Sequence, residues 1–121
     1  MKLRSIIVDD EPLARKGLEE DLREIDVIEV VGMAESSLKA IELITMKKPD
    51  LVFLDIEMPR VNGLDFIKSI NQPPMVIITS AYSKYAMRGY ELNVIDYLLK
   101  PIDFNRLLQA CIKARISPVK A

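Results

Sequence analysis

The feature that most constrains this chain is a repeating order: short apolar runs, each followed by a segment with helical spacing. The runs fall at residues 5–8, 28–31, 51–54, 76–79 and 97–99. Leu51, Val52, Phe53 and Leu54 form the clearest one. Consecutive apolar residues on a strand point to both faces, so both faces must be covered, as in the interior of a parallel sheet. Between the runs, Ala14, Leu18, Leu22 and Ile25 keep helical spacing, as do Ala40, Ile41 and Ile44. Phe66, Ile67 and Ile70 continue the pattern after Gly63. Phe104, Leu107, Leu108, Cys111 and Ile112 make a full helical stripe behind Asp103, a suitable N-cap. Residues 83–92 are less regular, with a thin stripe of Tyr85, Ala86 and Gly89. This alternation predicts an α/β fold: a five-stranded parallel sheet with right-handed crossovers and helices on both faces. The run at 28–31 carries Glu29 and suits an edge strand. A chain of 121 residues is enough for one such domain.

In sheets of this kind ligands bind beyond the carboxyl ends of the strands. The residues just past each run therefore decide the chemistry. Asp9, Asp10 and Glu11 follow the first, Asp55 the third, Thr79 and Ser80 close the fourth, and Lys100-Pro101 follows the fifth. Asp9 and Asp10 could alternatively serve as cap and first-turn acid for a helix starting near Pro12. With Asp55 beside them, however, three carboxylates crowd one edge. At an effective dielectric of ~20, two such charges ~4 Å apart repel by about 4 kcal/mol. A divalent cation relieves that repulsion. The chain has no histidine and one cysteine, so the ligands are oxygens, which select a hard ion such as Mg2+. A carboxylate beside a metal can act as a nucleophile towards phosphorus. The Lys100 ammonium and one hydroxyl would neutralise the transferred oxygens. Adjacent strand residues point oppositely, so only one of Thr79 and Ser80 can face the site. Cys111 lies on the buried stripe of the last helix and reads as packing, and by composition alone Tyr82, Tyr85, Tyr90 and Tyr97 suit core positions.

The segments "VDDE", "LDIEMPRVNG", "TSA" and "YLLKP", in that order at successive strand ends, strongly resemble the receiver domain of two-component response regulators. The resemblance covers essentially the whole chain. It implies the flavodoxin-like (βα)5 three-layer sandwich with strand order 2-1-3-4-5, one of the common doubly wound orders. It implies that Asp55 accepts the phosphoryl group. Asp10 and Asp55 match the direct Mg2+ ligands, with the backbone carbonyl of Glu57, and Asp9 matches an acid that reaches the metal through water. Lys100 matches the lysine that precedes a usually cis proline. Ser80, directly before Ala81, matches the switch hydroxyl, and Thr79 would face away. Tyr97 matches the aromatic that tracks phosphorylation, while Glu57 and Tyr82 occupy positions that tune the phosphoryl lifetime. Serine where threonine is more frequent is a mild departure.

The stretch from Thr79 to Ala110 is similar to receivers that precede a LytTR-type DNA-binding domain. The expected organisation is a receiver over residues 1–116 and the start of a linker over 117–121, excised from a longer transcription regulator, with a stand-alone receiver as the alternative. The resemblance implies a sensor histidine kinase as phosphodonor, a phosphorylation-dependent homodimer, and DNA contact only through the output domain. A formal charge of −1 agrees that this segment is no nucleic-acid binder. No apolar run approaches the ~20 residues that span a bilayer, and the N-terminus lacks a signal pattern, so no membrane role and a cytoplasmic location are expected. The receiver would catalyse only its own phosphorylation and dephosphorylation. The rival enzyme, a haloacid-dehalogenase-like phosphatase, needs a second aspartate where Glu57 stands. A flavin carrier of the same fold would meet repulsion from Asp9, Asp10 and Glu11, and a degenerate receiver would lack chemical positions that are all present here.

Overall fold

A computed structural model describes residues 2–58, 67, 69–82 and 94–117. Five parallel strands, β1 (Leu3–Val8), β2 (Ile28–Ala34), β3 (Leu51–Asp55), β4 (Met75–Ser80) and β5 (Val94–Leu99), form one sheet in the order β2-β1-β3-β4-β5. Three helices lie among the described residues: α1 (Pro12–Arg23), α2 (Ser37–Lys47) and α3 (Phe104–Arg115). The flavodoxin-like expectation holds.

Strands β3 and β4 are buried at every position, because each sheet face has its own core. On one face Ile7, Phe53 and Ile77 pack with Leu18 and Leu22 of α1 and with Leu107, Ala110 and Cys111 of α3. On the other, Ile6, Val52, Leu54 and Ile78 pack with Ala40 and Ile44 of α2 and with Ile67. The strict alternation between the two sets is the pleat of the strands made visible. Cys111 is fully buried, as expected of a packing residue, and burial pushes its thiol up to about 12.

Helix ends follow local chemistry. Asp103 caps α3 by accepting the Arg106 N–H at 3.1 Å, and Ser36 caps α2 by accepting that of Lys39 at 3.1 Å. Helix α1 does not take up the alternative of capping by Asp9 or Asp10. Its N-cap is Glu11, with no side-chain cap, and Pro12 supplies the first turn. Asp9 and Asp10 are thereby left for other work.

All five strands are longer than the sequence suggests, β2 and β5 by three residues each. β2 runs on to Ala34 through Gly32, where an added Cβ would come within 3.1 Å of the Leu43 side chain. β5 begins at Val94 and takes in Asp96, whose carboxylate is held by Arg106 of α3 at 2.7 and 2.8 Å. The expected helix after Gly63 falls mainly outside the described residues, although Ile67 is buried. The irregular segment 83–92 lies outside them, as does all of 117–121 but Ser117.

Candidate functional site

Strand order decides which chain ends meet. β1 and β3 are neighbours at the centre of the sheet, so Asp9 and Asp55 leave it side by side. Both are buried, at 4% exposure each. Each is fixed in the same way. Asp9 Oδ1 accepts the N–H of Glu11 at 2.9 Å, and Asp55 Oδ1 accepts that of Glu57 at 2.9 Å. These turns, with a side chain accepting from the backbone two residues on, are typical of aspartate at the start of a loop.

The second oxygens of the two acids share one cation. Lys100 Nζ lies 2.9 Å from Asp9 Oδ2 and 3.2 Å from Asp55 Oδ2. Its backbone N–H donates to the Ser80 carbonyl at 2.7 Å, which ties the end of β5 to the end of β4, and the Lys100-Pro101 peptide is cis. Arg15 of α1 secures the first loop by donating to the Asp9 carbonyl at 2.8 Å.

Asp10 is exposed and completes the cluster. One oxygen from each of Asp9, Asp10 and Asp55 lies within 4.8 Å of the others. The three carboxylates outnumber the Lys100 ammonium, and even with the Arg15 guanidinium on the Asp9 carbonyl the described residues leave an excess of negative charge. An all-oxygen donor set with that excess fits a hard divalent cation such as Mg2+.

Burial pushes the Asp55 carboxyl above its ordinary value. The Glu57 N–H and the Lys100 charge pull it down by less, and the nearby Asp9 adds to the rise. Burial alone would lower Lys100, but the bond to Asp9 and the charge of Asp55 outweigh it and hold the ammonium above its usual range. The lysine is thus locked in its charged form.

The residues at the end of β4 are arranged differently from the acids. Thr79 pairs in register with Asp55, and its carbonyl accepts the Ile56 N–H at 3.1 Å. Ser80 alternates with Ile78 towards the α2 face, and both residues are buried. Ser80 Oγ accepts the Tyr82 N–H at 2.9 Å and donates to the Tyr82 carbonyl at 3.2 Å. The Tyr97 hydroxyl donates to that same carbonyl. The two residues expected to act as a switch therefore meet on one backbone acceptor of a third expected residue, Tyr82. Sequence reasoning placed Glu57 at the site through its backbone and its position. It missed that the Glu57 side chain accepts the Ala81 N–H at 3.0 Å. Only the register of β3 against β4 could have signalled that contact.

The sequence matches the family profile of the response regulator receiver domain over residues 6–112. It is 48% identical over 107 residues to an uncharacterized response regulatory protein of Yersinia pestis, covering 87% of this chain and 45% of that one. It is 38% identical over 115 residues to the transcriptional regulatory protein BtsR of Escherichia coli K12, covering 93% of this chain and 48% of the relative. The chain thus spans about half the length of these curated relatives. Among solved structures, the REC domain of AraT, a response regulator from Geobacillus stearothermophilus, superposes with a TM-score of 0.83 at 34% identity, over 95% of this chain and 94% of that one. The response regulatory domain of protein mrkE from Klebsiella pneumoniae superposes with a TM-score of 0.83 at 28% identity, over 93% and 95% of the two chains.

Proposed function

The chain belongs to the response regulator receiver domain family, and we propose that it accepts a phosphoryl group on Asp55 from a sensor histidine kinase. The observation that carries this reading is the pair of buried strand-end aspartates bridged by Lys100, with Asp10 beside them. An Asp55 oxygen forms the new P–O bond as the P–N bond of the donor phosphohistidine breaks, and the freed imidazole nitrogen takes up a proton. A carboxylate nucleophile has no proton to lose, so a chain without histidine needs no general base for this step.

Asp10, Asp55 and the Glu57 backbone carbonyl would hold Mg2+, with Asp9 contributing through water. When bound, the ion supplies positive charge against both the carboxylate excess and the phosphoryl oxygens. Lys100 serves a second phosphoryl oxygen, since its ammonium already lies within reach of Asp55. Ser80 serves a third from the next position beyond the Asp55–Thr79 pair, after its hydroxyl leaves Tyr82. Release of Ser80 from the Tyr82 carbonyl changes what Tyr97 shares there, which makes these two side chains the readout of the site. Glu57 and Tyr82 adjust how long the phosphoryl group persists.

Residues 1–116 act as a receiver that controls an output domain, with 117–121 opening the linker. Relatives of about twice the length that include a transcriptional regulatory protein support this reading, and the motifs between Thr79 and Ala110 favour an output domain of the LytTR type. Phosphorylation would favour a homodimer, and DNA would be met only by the output domain. No helix among the described residues is long and apolar enough to cross a membrane, and a cytoplasmic regulator that turns over no separate substrate is the form we propose. Incubation with Mg2+ and acetyl phosphate tests the chemistry. Intact mass should rise by one phosphoryl group, the rise should vanish with EDTA, and Asp55→Asn should not be labelled. Equal labelling of that variant would overturn the reading.

A further inference from the structure

The Glu57 side chain makes a contact that phosphoryl acceptance does not require. Register pairs Asp55 with Thr79, so two more residues along each segment bring Glu57 alongside Ala81 beyond the end of the ladder. There Glu57 Oε1 accepts the Ala81 N–H at 3.0 Å, while the Glu57 N–H is given to Asp55 Oδ1 at 2.9 Å. One residue therefore bridges Asp55 and the loop after β4. Its other oxygen, Oε2, is buried without a hydrogen-bond partner among the described residues. An ionised carboxylate accepts at both oxygens, and leaving one of them out of water without a donor weakens its hold on the place it occupies. Ala81 directly follows Ser80, whose carbonyl holds the backbone of Lys100 at 2.7 Å. In the trans Ser80-Ala81 peptide the N–H points opposite to that carbonyl, so the Ala81 N–H faces away from β5 and towards the end of β3, where Asp55 stands.

We infer that Glu57 is a built-in placeholder for the phosphoryl group: its carboxylate occupies the Ala81 N–H in the unphosphorylated chain and must leave before an Asp55 phosphoryl oxygen can use that donor. The inference rests on the phospho-accepting reading. A phosphoryl group brings about 1.5–2 negative charges and three acceptor oxygens, so it repels the Glu57 carboxylate and competes with it for one N–H. Glu57 thus keeps the donor satisfied at rest and opposes the incoming group, a contact that slows phosphorylation without touching the nucleophile. The backbone carbonyl of residue 57 is unaffected by a change of its side chain.

The test compares the parent protein with Glu57→Gln and Glu57→Ala at saturating Mg2+, with acetyl phosphate as donor. The donor P–O bond breaks as the Asp55 O–P bond forms, acetate leaves, and intact mass reads the rate. Glu57→Ala should label about tenfold faster, the change that ~1.4 kcal/mol in a barrier makes. Glu57→Gln should fall between, because it keeps an acceptor for Ala81 but no charge. A second readout needs no chemistry. In nitrogen–proton NMR spectra of the metal-free protein, the Ala81 amide proton should lose its hydrogen-bonded downfield shift in Glu57→Ala and largely keep it in Glu57→Gln. If the parent is labelled but the Ala81 amide is unmoved in Glu57→Ala, or neither variant is faster, the placeholder is overturned and the phospho-accepting reading stands. Labelling of none of the three proteins overturns both.

Discussion

Asp55 stands where a charge is unwelcome, and its neighbours only partly compensate. Its carboxyl is raised because burial outweighs the Glu57 N–H and the Lys100 ammonium, and Asp9 adds repulsion. A raised carboxylate favours its protonated form in the folded state, so its ionisation costs stability above the folded value, and that cost is relieved as pH falls through it. Asp55→Asn should therefore be more stable than the parent in EDTA at neutral pH. A gain of about 1 kcal/mol would raise the melting temperature by roughly 4 °C for a domain of this size. The gap should close in acid, and calorimetry across pH checks both points. An unchanged or lower melting temperature in EDTA at pH 7 would mean that Lys100 fully compensates Asp55. The identities of Asp9, Asp10, Asp55 and Lys100 as strand-end groups were legible in the sequence, because strand ends converge whenever the sheet is parallel. Their partners were not. That Lys100 lies closer to Asp9 than to Asp55 depends on the path of β5 beside β4, which no local pattern encodes.

At the scale of elements, α3 is fastened to β5 by the ion pair between Asp96 and Arg106. Asp96 accepts both guanidinium nitrogens and the Tyr97 N–H at 2.8 Å, with Lys113 at 3.9 Å. Burial would raise its carboxyl, but the Arg106 bonds, the Tyr97 N–H and the two cationic charges outweigh it and hold it below the usual range. This pair also explains why the start of β5 was hidden. An acid at position 96 interrupts an apolar run, and the residue that neutralises it comes ten positions later on a different element. Gly32 hid the end of β2 in a similar way, since the strand tolerates it through the packing of Leu43. Arg106→Ala should cost about 1–2 kcal/mol at pH 7, as it leaves a largely buried carboxylate without its charged donor. Because the folded value of Asp96 is depressed, the stabilisation is present above the unfolded value of about 3.9 and is lost as pH falls through the folded one. Denaturant melts at pH 7 and at the lowest pH where both proteins stay folded should show the difference shrinking in acid. A constant difference would point to lost packing of the arginine stem rather than lost charge.

At the scale of the whole molecule, the sheet order makes the site. With β1 and β3 adjacent at the centre and β4 and β5 beyond them, two acids, the end of β4 and a lysine emerge along one edge. That arrangement was legible from the order of apolar runs and the residues behind them. The convergence of the Ser80 and Tyr97 hydroxyls on the Tyr82 carbonyl was not, because it depends on where one backbone carbonyl just past β4 lies relative to side chains on two strands. A site with an excess of negative charge should make the entire fold more stable when Mg2+ binds. Ligand at a hundred times its Kd adds about 2.7 kcal/mol to a two-state domain. Thermal melts with increasing Mg2+ should show this rise for the parent and a markedly smaller one for Asp10→Ala. Identical responses would remove Asp10 from the metal site. The central claim is that the phosphoryl group sits on Asp55 as an acyl phosphate, and borohydride trapping tests it most directly. Borohydride reduces an aspartyl phosphate to homoserine, so peptide mass mapping after Mg2+ and acetyl phosphate treatment should find homoserine at position 55 and aspartate at positions 9 and 10. Homoserine at another position, or a phosphoryl group that survives borohydride on a serine or tyrosine, would contradict the account.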